Sequence, residues 1–188
     1  MGTGVLLSAE NLGILRGERV LFRDISILVS AGDAVILRGR NGSGKTTLLR
    51  ILAGLTRPET GKVVRPAPHH WLGHTNGIKP DETAAQHLKR WATAWGADIS
   101  ATSQTWVGDL ADIPSRLLSA GQKRRTALAR LGLQERPLWL LDEPFNALDA
   151  DGRTILLDQI AAHRKSGGGV IAAIHGEAGF EPTFEVDL

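Results

Sequence analysis

Residues Gly39 to Thr46 read GRNGSGKT and satisfy the pattern G-x-x-x-x-G-K-[ST], with a strand-like run before them and a helix-like run after. Each residue type has a use around a polyphosphate. Gly39, Gly42 and Gly44 let the backbone wrap a phosphate with no Cβ in the way, so the N–H groups of the loop, those of Arg40, Asn41 and Ser43 included, turn inward. A helix starting at the loop adds its positive N-terminal end. Lys45 supplies a mobile cation for the β- and γ-phosphates, the Thr46 hydroxyl is a ligand for Mg²⁺, and Thr47 adds an α-phosphate contact. The plain alternative, a glycine-rich turn carrying a surface lysine, fits the flanking elements poorly. The pattern is strong for nucleotide binding and silent about the reaction, because kinases, GTPases and motors share it.

Pro137 to Pro144, PLWLLDEP, is an apolar run that ends in two carboxylates. In parallel sheets ligands gather at the carboxyl ends of the strands, so Asp142 is expected to face the phosphate loop and hold Mg²⁺ through water. Glu143, one residue on, points elsewhere and suits the orientation or the deprotonation of an attacking water. Taken alone, the pair also matches a solvated acidic turn before a proline; behind GRNGSGKT that reading loses ground. His175 closes the apolar run VIAAIH. A lone histidine at a strand end is usually structural or exposed, and only its company makes it a candidate γ-phosphate sensor.

LSAGQ, Leu118 to Gln122, stands ahead of a helix-like stretch and is followed by Lys123, Arg124 and Arg125. Ser119 is a good N-cap, and Gly121 lets the backbone approach a ligand. A helix N-terminus with a Ser hydroxyl is a second anion site. One nucleotide does not need two such sites in one fold. Two chains head to tail, each capping the other's nucleotide, resolve the surplus and close into a two-fold dimer. The three basic residues also allow a nucleic-acid patch, but a solvated helix face beside phosphates or a partner is the better reading.

These clusters need elements to hold them. Val20 to Val29 alternates as a strand, Gly32 opens a turn, and Asp33 to Arg38 is a short apolar strand running into the glycine loop. Lys45 to Leu55 is expected as a helix with Leu48, Leu49, Ile51, Leu52 and Leu55 on one face and Gly54 near its end. Asp81 to Arg116 has weak helical periodicity and reads as a small helical insertion, roughly 77–121. A helix from Gly121 to Leu133, a strand from Leu138 to Leu141, a helix from Gly152 to His163 and a strand from Val170 to Ile174 complete the series. Strands alternating with helices, and unbroken apolar runs in the strands, predict an α/β fold with a mostly parallel sheet covered on both faces.

The chain has 188 residues, enough for a single domain that buries about 70% of its unfolded surface. Hydrophobic residues make up 42% and charged residues 22%, which argues against disorder. The formal charge of +2 sits beside a pI of about 9.3 because no Cys or Tyr buffers between the His and Lys ranges, so the pI carries no nucleic-acid inference. The absence of cysteine excludes a disulfide framework and a thiolate metal site. The N-terminal MGTGVLLSAENLG lacks the features of a secretory signal, and no run approaches the roughly 18 apolar residues of a transmembrane helix. The expectation is a soluble chain, held at any membrane by a partner.

In their order along the chain, GRNGSGKTT, LSAGQ, LLDEP, the ALD of Ala147 to Asp149, and His175 resemble the motif series of the ABC ATPases, over nearly the whole length. The resemblance implies a P-loop NTPase core of the ABC ATPase type with N-terminal antiparallel strands, in one nucleotide-binding domain spanning 1–188. Position by position, it implies that Gly39 to Thr47 is the Walker A loop, Asp142 the Walker B aspartate and Glu143 the catalytic glutamate. Ser119, Ala120, Gly121 and Gln122 resemble the signature loop, Asp149 the D-loop aspartate and His175 the switch histidine.

A narrower similarity links WLGHTNGIKPDETAAQHL (Trp71 to Leu88), LSAGQKRRTALARL, PLWLLDEPFNALD and the short C-terminus to the haem-exporter ATPases of cytochrome c maturation, the CcmA family. It implies ATP and Mg²⁺ as cofactors, a homodimer of ATPase subunits, and integral membrane permease subunits as partners. It also implies a peripheral place on the cytoplasmic face of the bacterial inner membrane, with ATP hydrolysis driving haem delivery to a periplasmic chaperone. Some positions depart from the wider family. Thr75 stands where a Gln ligand of Mg²⁺ is usual, and its shorter side chain is expected to reach the metal through a water. Ala120 replaces a signature Gly, as in the closer relatives. Arg16 takes the place of the adenine-stacking aromatic, where a guanidinium plane can stack on the ring.

A soluble ABC-type protein acting on nucleic acid would carry coiled coils, zinc elements or a second cassette, for which this chain has no room. A P-loop small-molecule kinase has no use for LSAGQ followed by LLDEP. The expectation is therefore a transport ATPase, for haem or another substrate, with no nucleic-acid partner.

Overall fold

The computed structural model describes residues 4–99 and 101–188. Two compact units are present. The first comprises the residues up to Gly73 together with Arg136–Glu143 and Leu157–Leu188, and the second comprises His74–Glu135 and Pro144–Leu156.

In the first unit, β1 (Val5–Arg16) and β2 (Arg19–Ser30) form an antiparallel hairpin, and Arg16 lies opposite Arg19 across the turn at Gly17 and Glu18. β3 (Ala34–Arg38) leads to α1 (Lys45–Leu52), and β4 (Thr60–Val64) returns to pair with β1. The order in this antiparallel sheet is β2-β1-β4. β5 (His69–Leu72), β6 (Leu138–Asp142), β7 (Gly169–Ala173) and β8 (Phe184–Asp187) join β3 in a parallel sheet ordered β5-β6-β7-β3-β8. The expected α/β core with N-terminal antiparallel strands is thus what the chain forms.

The strand patterns explain themselves. Every residue of β6 and β7 is buried, so both faces are covered and the runs are unbroken rather than alternating. On β2, by contrast, Ile27 and Val29 are buried while Leu28 between them is exposed. Helix α1 buries Leu48, Leu49, Ile51 and Leu52, and full burial of each such side chain stabilises the fold by about 1.5–3 kcal/mol. The helix ends earlier than the apolar face suggested. Gly54 turns left-handed (φ +76°) and Leu55 is 51% exposed, so Leu55 is not part of the buried face.

In the second unit, α2 (Ala84–Trp95) opens on a reciprocal cap between Thr83 and Gln86 and closes at the left-handed Gly96. It is followed by α3 (Ala101–Val107) and α4 (Ala120–Leu128), where sequence predicts one helix from Gly121 to Leu133. The chain instead tightens into a 3-10 turn at Ala129–Gly132. Trp106, Leu88 and Leu128 form its fully buried centre. α5 (Ala150–Lys165), of which the residues up to Leu156 belong to this unit and those from Leu157 to the first, starts before the expected Gly152, because Asp149 Oδ1 accepts a bond from the Gly152 N–H at 2.8 Å and caps the first turn. Among the described residues no helix is long and apolar enough to cross a membrane.

Candidate functional site

Strand β3 delivers the chain into a loop built on left-handed glycines: Gly39, Gly42 and Gly44 have φ of +134°, +80° and +113°. At Gly39 a Cβ would stand 2.6 Å from both Leu188 O and Ser43 Oγ, so no larger residue fits. Gly44 is the N-cap of α1 and no side chain caps that helix, the kind of helix start at which an anion can bind. Lys45 is only 6% exposed, and its ammonium donates to Gly39 O (2.7 Å) and Arg40 O (3.0 Å), closing the loop from inside. Arg40, Asn41 and Thr46 are exposed, and Ser43 and Thr47 are half-buried.

Parallel strand ends supply the acids. Asp142, the last residue of β6, is buried, and Thr46 Oγ1 donates to its carboxylate, 3.0 and 3.1 Å from the two oxygens. Glu143 then takes a left-handed backbone (φ +49°), a conformation that costs a non-glycine residue about 1–3 kcal/mol and that clusters at functional positions. Its N–H donates to Ala173 O at the end of β7. Its carboxylate lies 3.3 Å from Nε2 of His175. His175 does not close a strand: β7 ends at Ala173, and the histidine occupies the bend beyond it. Thr46, Asp142, Glu143 and His175 are thereby brought to one end of the sheet.

A hydroxyl and a carboxylate are hard oxygen donors. Among the described residues no group of three or more His, Cys, Asp or Glu gathers to hold a metal. Such a sparse donor set fits Mg²⁺, which keeps several waters and completes its shell with substrate phosphate oxygens.

In the second unit, Ser119 is the N-cap of α4: its hydroxyl accepts from the Gln122 N–H (3.2 Å), and Gln122 Oε1 accepts from the Ser119 N–H (2.8 Å). Ala120 is exposed at the first helical position. Gly121 has a constraint that sequence did not suggest: a Cβ there would lie 2.4 Å from Ala147 O, in the segment that carries Asp149. A cavity of about 510 Å³ opens beside them, lined by Ser119, Gly121, Gln122, Arg125, Asp149 and Asp109. Asp109 was not legible in advance, since nothing in GDLADI marks it.

The basic triplet after LSAGQ is not the solvated helix face expected of it. Arg124 is buried, with Nε donating to Pro144 O (3.3 Å) and Nη1 to Asn76 Oδ1 (3.2 Å), and Lys123 and Arg125 are half-buried. A buried guanidinium needs acceptors of this kind to offset its lost hydration. Thr75 is exposed in the bend after β5, and Arg16 is exposed at the hairpin turn of β1 and β2.

The ABC transporter family model matches residues 22–146. A cytochrome c biogenesis ATP-binding export protein CcmA from Hyphomonas neptunium is 58% identical, covering 100% of this chain and 99% of that protein. The protein of the same name from Rhizobium etli is 41% identical over 97% of this chain and 94% of its own. A solved chain from Pyrococcus furiosus, assigned as an ABC transporter ATP-binding protein, superposes with a TM-score of 0.80 at 23% identity, covering 97% and 96%. At that identity the likeness speaks for the fold alone.

Proposed function

Since the chain belongs to the ABC transporter family, among the CcmA ATP-binding proteins of cytochrome c biogenesis, we propose that it hydrolyses MgATP in a head-to-tail homodimer to drive haem export or delivery. As a member it is an ATP-binding, ATP-hydrolysing ABC ATPase serving cytochrome c biogenesis. The observation that supports MgATP hydrolysis is the constellation at the sheet's end: Thr46 on Asp142, and Glu143 facing His175.

In this reading the backbone N–H groups of Gly39 to Thr47 cradle the phosphates, and Lys45 neutralises their charge. Thr46 and Asp142 would hold Mg²⁺, with Thr75 a candidate further ligand through a water; the ion would supply charge neutralisation for the phosphates. Glu143 orients the attacking water and takes its proton, while His175 holds the carboxylate in place and contacts the γ-phosphate. Arg16 stacks on the adenine. Ser119, Ala120, Gly121 and Gln122 of a second copy cap the γ-phosphate, and Asp149 lines that mouth. The segment from about 77 to 121 is the helical insertion, against which permease subunits dock at the cytoplasmic face of the inner membrane.

Glu143→Gln is the decisive variant. Turnover should fall by about 10²–10⁴-fold while ATP binding persists, and ATP should trap a dimer on a sizing column. An ATP-saturated variant that stays strictly monomeric would overturn the pairing.

A further inference from the structure

Arg38 is the last residue of β3, directly before Gly39, and its guanidinium works in more than one direction. Nε and Nη2 form a fork on Glu185 of β8, at 3.1 and 2.8 Å. The remaining arm, Nη1, donates to the carbonyl of Gly176. Gly176 follows His175 in the bend beyond β7 and is itself left-handed, with φ +70°.

The ion pair is not required to hold β3 and β8 together. Their parallel ladder runs from Val35↔Phe184 to Arg38↔Asp187, and the Leu188 N–H also donates to Arg38 O. A half-exposed pair of this kind adds little to stability. What the fork contributes is orientation. Two parallel bonds to one carboxylate fix the guanidinium plane, and a fixed plane aims the third arm at Gly176. The bend it grips carries the histidine that sits 3.3 Å from Glu143.

We propose that Arg38, oriented by Glu185, is a positioning residue that holds the His175–Gly176 bend so that His175 meets Glu143 in the geometry turnover needs. The inference rests on the roles given above to Glu143 and His175. Its effect falls on kcat rather than on ATP binding, because the contacts that cradle phosphate are made elsewhere in the loop.

Steady-state ATPase assays on the full chain, with folding checked by circular dichroism, test it. Arg38→Met should lower kcat about tenfold and leave the KM for ATP within about twofold, as a displacement near the chemistry does. Should that variant fail to fold, Arg38→Lys takes its place; one ammonium cannot serve both acceptors, and an intermediate loss in kcat is expected. Exchanging the pair, Arg38→Glu with Glu185→Arg, rebuilds the charge attraction between the strands but faces the Gly176 carbonyl with a group that donates nothing. kcat should stay as low as in Arg38→Met; recovery to the parental value would reduce the pair to a strand clip and overturn the proposal. His175→Ala separates the two readings. If it leaves kcat unchanged, the role of His175 is wrong; if it lowers kcat while Arg38→Met does not, only the positioning role falls. In the double variant Arg38→Met should add less than about twofold to His175→Ala, and independent losses that multiply would also overturn it.

Discussion

The glycine loop and the LSAGQ turn both stand at the start of a helix, and they are finished by different means. At the loop, the N-cap is a left-handed glycine, no side chain caps α1, and Lys45 closes the interior on two carbonyls. At the turn, Ser119 and Gln122 close the start of α4 on each other through their side chains. The loop, in the function proposed for it, is a backbone cradle whose leading N–H groups hold phosphate, whereas the turn already satisfies part of its own need. A cradle of that kind suits a permanent nucleotide site. A self-capped turn beside an open cavity suits a lid that engages and releases, which is the division of labour proposed for the two copies.

The comparison can be broken at either end. Lys45→Ala removes the loop's interior cation and should weaken ATP binding about a hundredfold or more, read by nucleotide titration; unchanged affinity would remove the cradle from the argument. The largest stability effect is expected in the second unit. There His87 is fully buried, and burial, reinforced by the charge of Arg130, pushes its pKa down to about 4 from 6.5. The folded form thus keeps His87 neutral, with Arg90 Nη2 3.2 Å from Nδ1. The unfolded chain protonates as pH falls below 6.5, so the His87 contribution should lower stability from there to about pH 4, by up to about 3 kcal/mol, and change no further below that. Glu82, held at about 2 by its bond from Arg90, adds stability that is fully present above its ordinary 4.5 and is lost progressively as pH falls from there to about 2, so total stability keeps falling below pH 4. Urea midpoints against pH should show the drop, and His87→Gln should flatten its upper part.

Smaller effects sharpen the contrast between the two helix starts. Gly121→Ala drives a methyl to 2.4 Å from a backbone carbonyl and should cost about 1–3 kcal/mol, because backbone yields less readily than a side chain. Ser119→Ala deletes the cap and should cost about 1 kcal/mol by chemical denaturation. Thr75→Gln, restoring the side chain usual at that position, should move basal ATPase least, within about twofold.

Hydropathy patterning located the buried strands because β6 is apolar from Leu138 to Leu141 and β7 carries no polar side chain. It faltered at α2, whose buried positions include His87, a polar residue that a periodicity reading counts against the core. It overextended α1, since Leu55 continues the apolar pattern past a glycine whose left-handed turn takes it to the surface. Arg124 was misread for a related reason: a charged side chain in a basic run looks solvated until two acceptors, Pro144 O and Asn76 Oδ1, are found around it.

Residue types and spacing by themselves determined that a phosphate-shaped loop lies between a strand and a helix, and that a capped helix start recurs further on. Those are local properties, set by the missing Cβ of glycine and by side chains within a turn of one another. Tertiary structure alone decided which distant groups meet. Thr46 and Asp142 are 96 positions apart, and Arg38 and Glu185 are 147 apart. Their meetings follow from the strand order β6-β7-β3-β8, which brings strand ends together across long stretches of chain and which no short-range pattern encodes.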